Sequence, residues 1–210
     1  SGVGCLIYII KKVPMRKLQK EDFRLEGYLV KMEISVGVPM ALQYSITAVG
    51  TMMVQSSLNL LGSLSVAAYT AANKIESVVT QAYVALGTTM ATYCAQNMGA
   101  GDIQRIRRGF KSATVMGSIY GVALAIPMMT VGKYLAYLFV SQDVNAIIGQ
   151  VDIYLKCAGL FLIPLTVVNV YRNGIQGMGY GLLPMMAGVA ELLGRGVVAL
   201  WAAEKRSYTG

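Results

Sequence analysis

The sequence contains no histidine, and charged residues make up only 13% of it. The first absence excludes catalysis built on an imidazole base and argues against a zinc site. The second argues against a water-solvated surface, since soluble domains are typically about 25% charged. Cysteine is scarce and odd in number. Cys5, Cys94 and Cys157 lie in or beside apolar segments and read as small packing residues, not as a disulfide or a metal site. Carboxylates are missing from long stretches: none occurs between Glu33 and Glu76, or between Asp152 and Glu191. No close carboxylate pair and no nucleophile motif stands in the chain, so an enzyme is not expected. The chain opens Ser1-Gly2-Val3-Gly4 without an initiator Met and ends Ser207-Tyr208-Thr209-Gly210. Both ends read as those of a fragment, and no targeting signal is inferred from them.

What is there is apolar. Apolar types make up 55% of the 210 residues, and the mean hydropathy is +0.55. That amount of apolar sequence cannot be hidden in a soluble core of this size, so the expected class is an all-α, polytopic transmembrane bundle. The net charge of +8 sits in loops flanking apolar runs, a topology signal and not a groove for nucleic acid. Residues 1–10 are too short to span and read as the end of a preceding transmembrane helix. Residues 11–33 are rich in cations and read as a cytoplasmic linker, with an amphipathic helix around Phe23 to Val30. Residues 34–210 read as a bundle of five spans. These start near Ile34, Ser65, Ile103, Val151 and Leu182, with an outer loop over Ser141 to Gln150 and an outer turn over Glu204 to Arg206. Pro127 should bend the third span, and Pro164 opens the backbone of the fourth.

The organising stretch is Thr88 to Lys111, TTMATYCAQNMGAGDIQRIRRGFK. Gly99-Ala100-Gly101 lets one helix end, Asp102 can cap the next, and Arg105, Arg107, Arg108 and Lys111 hold the turn on the cytoplasmic side. A phosphate loop would need a preceding strand and a Lys-Ser/Thr pair, and neither is present. AQNMGAGDIQRIRRG resembles the segment after the eighth helix of the multidrug and toxic compound extrusion (MATE) transporters. Gly37-Val38-Pro39, Leu42-Gln43, Gln55, Asn59, Ala67-Ala68-Tyr69, NGIQGMG from Asn173 and ELLGR from Glu191 keep the same family order. The resemblance implies the second six-helix bundle of such a transporter, lacking its last helix. It further implies efflux coupled to Na+ or H+, by alternating access between two bundles in the plasma membrane. The expected partners are the lipid bilayer, small organic and often cationic substrates, and the N-terminal bundle of the same transporter. No cofactor beyond the coupling ion and no nucleic acid are expected.

Candidate site residues follow from helical phase. Gln43, Thr47, Thr51, Gln55 and Asn59 recur every four residues and form a polar seam. Such a seam either lines a cavity or glues helices together. Tyr69, Asn73, Glu76, Thr80 and Tyr83 share a face, as do Asn169, Arg172, Asn173 and Gln176. Gln43, Thr47, Gln55, Asn59, Asn169, Arg172 and Asn173 are therefore the candidate substrate cavity. Asn73, Glu76, Tyr83, Glu191 and Arg195 form a candidate ion or polar site, with Glu191 and Arg195 able to pair four residues apart. One branch of the resembled family uses carboxylates on the first and fourth helices of this half. This chain has none there, which implies that the main coupling carboxylate lies in the first bundle and leaves Glu76 as an auxiliary. Rival readings are a flippase for lipid-linked oligosaccharides, which should line its cavity with many cations, and a non-transporting membrane subunit.

Overall fold

The computed structural model describes residue 8, residues 25–138 and residues 144–207, with the backbone alone at 138, 144–146, 199–200 and 202–207. The chain divides into two units, Ser1–Ser35 and Val36–Gly210. The readings of residues 1–10 and of most of 11–33 fall outside the described residues. No strand occurs among those that are described. Six α-helices follow one another: α1 Gly27–Leu60, α2 Ser63–Gly99, α3 Ile103–Thr130, α4 Val144–Leu160, α5 Leu162–Gly177 and α6 Leu182–Ser207. A 3-10 segment, Gly132–Leu138, follows α3.

The breaks have local causes. Gly62 sits between α1 and α2 at φ 97°, and Gly101 between α2 and α3 at φ 73°, backbone that other residues adopt at a cost. At the second break Asp102 accepts a hydrogen bond from the Arg105 backbone N–H at 2.9 Å, capping α3 as its position predicts. The expected fourth span is two helices, bent by 51° at Phe161. Pro164 lies in the first turn of α5, where its missing N–H costs nothing, but that N–H could not have closed a bond to the Leu160 carbonyl of a continuous helix.

Other boundaries also move. Helix α1 starts at Gly27, inside the expected linker, and α4 starts at Val144, inside the expected outer loop. The third span ends as α-helix at Thr130, three residues past Pro127. The expected turn over Glu204 to Arg206 is a continuation of α6. By length and apolar composition, Ile103–Thr130 qualifies as a span, and the bent pair α4–α5 qualifies together. Helices α1 and α2 have 34 and 37 residues, more than the roughly 20 a bilayer needs, but their polar seams dilute the apolar signal.

Helix α2 is the axis of the packing. One apolar cluster joins its first half, through Ala68, Ala72 and Tyr83, to Met128 of α3, Val151 and Leu155 of α4, and Leu162 of α5. A second joins Met90 and Cys94 to Ile106 and Ala113 of α3 and Val170 of α5. Small residues set the spacing. A Cβ added at Gly177 would strike the Ala91 carbonyl, and one at Gly117 would strike Thr166. Helices without a hydrophobic drive between them associate through such close contact.

Candidate functional site

Two cavities flank Glu76 of α2, and the larger opens where α4 bends into α5. The larger, about 480 Å³, is walled by Glu76, Phe161 and Pro164 at the break, Asn169 and Arg172 of α5, and Glu191 of α6. The smaller, about 370 Å³, is walled by Thr51, Tyr69, Asn73, Glu76, Tyr154 and Arg195. Interrupted backbone at membrane depth is tolerated only where it is buried in protein or lines a cavity, and here it lines one.

The polar groups form two networks. In the first, the Tyr154 hydroxyl donates to Glu76 Oε2 at 2.6 Å. The Tyr69 ring stands edge-on to Tyr154 at 5.5 Å, and Asn73 Nδ2 donates to the Tyr69 hydroxyl at 3.3 Å. A neutral donor thus holds a carboxylate that forms no ion pair among the described residues. In the second network, Glu191 sits between two guanidinium groups: Arg195 Nη2 at 2.5 Å on the same helix and Arg172 Nη1 at 3.6 Å on α5. Arg195 also donates to Thr51 Oγ1 of α1 at 3.4 Å. The buried Gln43 amide faces Arg172, and with its oxygen turned toward the guanidinium it accepts from Nη2 at 2.5 Å and Nε at 2.6 Å. Its other side lies 3.2 Å from the Gln176 amide. A continuous polar chain therefore ties α1, α5 and α6 together.

The predicted residues separate accordingly. Asn169, Arg172, Glu76, Asn73, Glu191 and Arg195 come together around the cavities. Gln43 joins them through Arg172. Thr47 bonds back to the Gln43 carbonyl of its own helix at 3.0 Å. Gln55 and Asn59 bond each other at 3.2 Å on an exposed face. Asn173 inserts where α2 has Gly87, between two packed helices, and donates to the Asn169 carbonyl at 2.9 Å. Tyr83 is 1% exposed, its ring edge-on to Tyr120 and its hydroxyl without a hydrogen-bond partner. Among the described residues no group of three or more His, Cys, Asp or Glu converges on a metal position.

The profile of the MatE family matches residues 38–201, most of the chain. The chain belongs to the MatE family. Curated relatives agree. It is 27% identical over 172 residues to the "Probable multidrug resistance protein YpnP" of Bacillus subtilis, covering 81% of this chain and 37% of that protein. It is 24% identical over 141 residues to the "Probable multidrug resistance protein YoeA" of the same organism, covering 66% and 30%. It is 26% identical over 149 residues to the "FAD transporter" of Shewanella oneidensis, covering 68% and 33%. The MatE chain thus spans about a third of the length of these relatives. As a MatE chain it is a membrane protein, and one of a family of transporters, not of enzymes.

Sequence reasoning passed over Tyr154. The signal was available: a tyrosine deep in an apolar helix needs a partner for its hydroxyl, and Glu76 was the acid without one. The Gln43–Arg172 contact, 129 positions apart in the chain, left no such trace.

Proposed function

We propose that this chain is the second bundle of a secondary exporter that moves small organic, often cationic, compounds out of the cell, driven by an inward Na+ or H+ gradient. The observation that carries the reading is Glu76. It is an ionisable group in a membrane helix, it lines both cavities, the larger of them beside a broken span, and a neutral tyrosine donates to it. Intramembrane carboxylates of this kind mark ion or substrate paths, and discontinuous helices at a repeat interface mark transporter sites. An organic cation entering the larger cavity meets Glu76, which forms no ion pair among the described residues, whereas Glu191 is held by two arginines. A flippase for anionic lipid-linked sugars would need free cations, and both Arg172 and Arg195 are engaged by Glu191.

In this reading the bundle crosses the plasma membrane several times and rocks against an N-terminal bundle. The turn around Gly99 to Arg108 faces the cytoplasm, as its cations favour. The main coupling carboxylate lies in the first bundle, and Glu76 is auxiliary. Transport by the full-length protein with Glu76→Gln and Glu191→Gln made separately tests this. Glu76→Gln is expected to slow efflux of a cationic dye several-fold without uncoupling it from the ion gradient, and Glu191→Gln to have the smaller effect. If either change alone abolished ion-driven efflux at normal protein levels, the coupling site would be in this half and the proposal would be wrong.

A further inference from the structure

A third cavity stands apart from the polar site. It is a groove of about 290 Å³ between α2 and α3, walled by Leu86, Met90 and Tyr93 on one side and by Arg108, Ala113 and Met116 on the other. Its walls are apolar except near one end. Met116 is 64% exposed, so the groove opens at the surface of the bundle. The Tyr93 hydroxyl donates to the Arg105 carbonyl at 3.1 Å and pins the two helices together at the groove's head.

The charges around that head are unbalanced. Among the described residues, neither Arg105 nor Arg108 forms an ion pair. The nearby Asp102 carboxylate spends its bond on the Arg105 backbone N–H, capping α3. Helical phase divides the four cations of this turn. Arg105, Arg108, Ser112 and Met116 follow one another at three- and four-residue steps and share the groove face. Arg107 is one residue, about 100°, behind Arg108, and Lys111 lies with Arg107.

We infer that this groove is a binding site for an anionic glycerophospholipid of the surrounding bilayer, with its phosphate at Arg105 and Arg108 and an acyl chain along the apolar wall toward Met116. The inference rests on the membrane placement proposed above, which puts the groove's head at the cytoplasmic headgroup layer. The groove runs about eight residues along α3, roughly 12 Å, enough for the upper half of an acyl chain. A free phosphate would use the arginines but not the apolar wall, and a zwitterionic lipid would use the wall while its own ammonium opposed the arginines. Only a lipid with net negative charge fits both. Each cation close to an anionic headgroup is worth about fivefold in affinity, so two together give roughly twenty- to thirtyfold.

The experiment is native mass spectrometry of the full-length protein given equal amounts of phosphatidylglycerol and phosphatidylcholine. Wild type should retain phosphatidylglycerol about tenfold or more over phosphatidylcholine. Arg105→Gln with Arg108→Gln should abolish the preference, whereas Arg107→Gln with Lys111→Gln, the same loss of charge on the other face, should keep it. Ser112→Trp, which fills the groove and leaves the cations, should release the lipid and guards against a double arginine variant that fails to fold. Equal loss in both double variants would reduce the effect to general surface charge and overturn the site. So would phosphatidylglycerol retention that survives Ser112→Trp, or a wild type without preference. Efflux activity does not enter this readout, so the transport proposal could fail while the lipid site stands.

Discussion

The two faces of α5 are held to the molecule by different means. Toward α2 and α3 the contacts are made by small residues: Gly174 under Phe110, Gly177 against the Ala91 backbone, Thr166 at Gly117 and Asn173 at Gly87. Toward α1 and α6 they are made by long polar side chains: Arg172 to Gln43 and Glu191, with the Gln176 amide lying beside Gln43. The first face has no room left: a Cβ added at Gly177 meets backbone, and one at Gly174, Gly117 or Gly87 meets a packed side chain. The second keeps its neighbours at arm's length, and the larger cavity opens beside Arg172 and Asn169. One helix thus serves as a fixed wall on one side and as a cavity lining on the other. The difference shows that polar residues on a membrane helix are not equivalent, because what stands opposite decides whether an amide is packing or site.

The comparison would break first at Gly177. A Cβ there collides with the Ala91 carbonyl, which is backbone and cannot step aside. Gly177→Leu should therefore destabilise the protein by about 3 kcal/mol or more, or prevent its accumulation in the membrane. Gly196→Ala, on the polar side, meets only the end of Met53 at 3.6 Å and should be near neutral. Thermal unfolding in detergent would measure both. Similar losses at the two positions would mean that the polar side is packed as tightly as the other.

Tyr154 gives a smaller and more local test. Its hydroxyl donates to the Glu76 carboxylate at 2.6 Å and ties α4 to α2. Tyr154→Phe should cost about 1.5 kcal/mol, the range for a hydrogen bond to a charged group. Tyr69→Phe removes only the acceptor of a neutral 3.3 Å bond from Asn73, and should cost about 0.5 kcal/mol. If Tyr69→Phe were the more damaging, the ring contact and not the Glu76 bond would be what holds these helices.

How much of this could be read from the chain follows the same division. Asp102 as a cap, Gly101 as a break and Pro164 as an opening in the fourth span act on their own local backbone, and each stands where its chemistry places it. Asn169 and Arg172, which share a face by helical phase, both line the larger cavity. Asn173 and Tyr83 shared those faces but pack against α2 and α3, because Gly87 and Gly121 leave space there. That information lies in a partner helix and has no period of its own. Gln55 and Asn59 fell on the right seam, yet they satisfy each other four residues apart, which spacing alone also allows.

The finest test concerns whether the polar side is wet. Glu191 and Arg195 are 36% and 37% exposed at the side chain, so water can screen their 2.5 Å contact. A double-mutant cycle with Glu191→Gln and Arg195→Gln, read by thermal unfolding, should give a coupling of about 0.5–1 kcal/mol, the upper range for exposed pairs. The coupling should shrink as salt is raised from about 0.1 to 1 M, since the screening length falls from about 10 to 3 Å. Arg172 should couple to Glu191 more weakly, because its 3.6 Å approach lacks a hydrogen bond and Gln43 already occupies two of its donors. A coupling well above about 2 kcal/mol, insensitive to salt, would mean a dry and fixed cluster. In that case α6 would be locked to α5 as firmly as α2 is, and the contrast between the two faces would be one of chemistry without being one of openness.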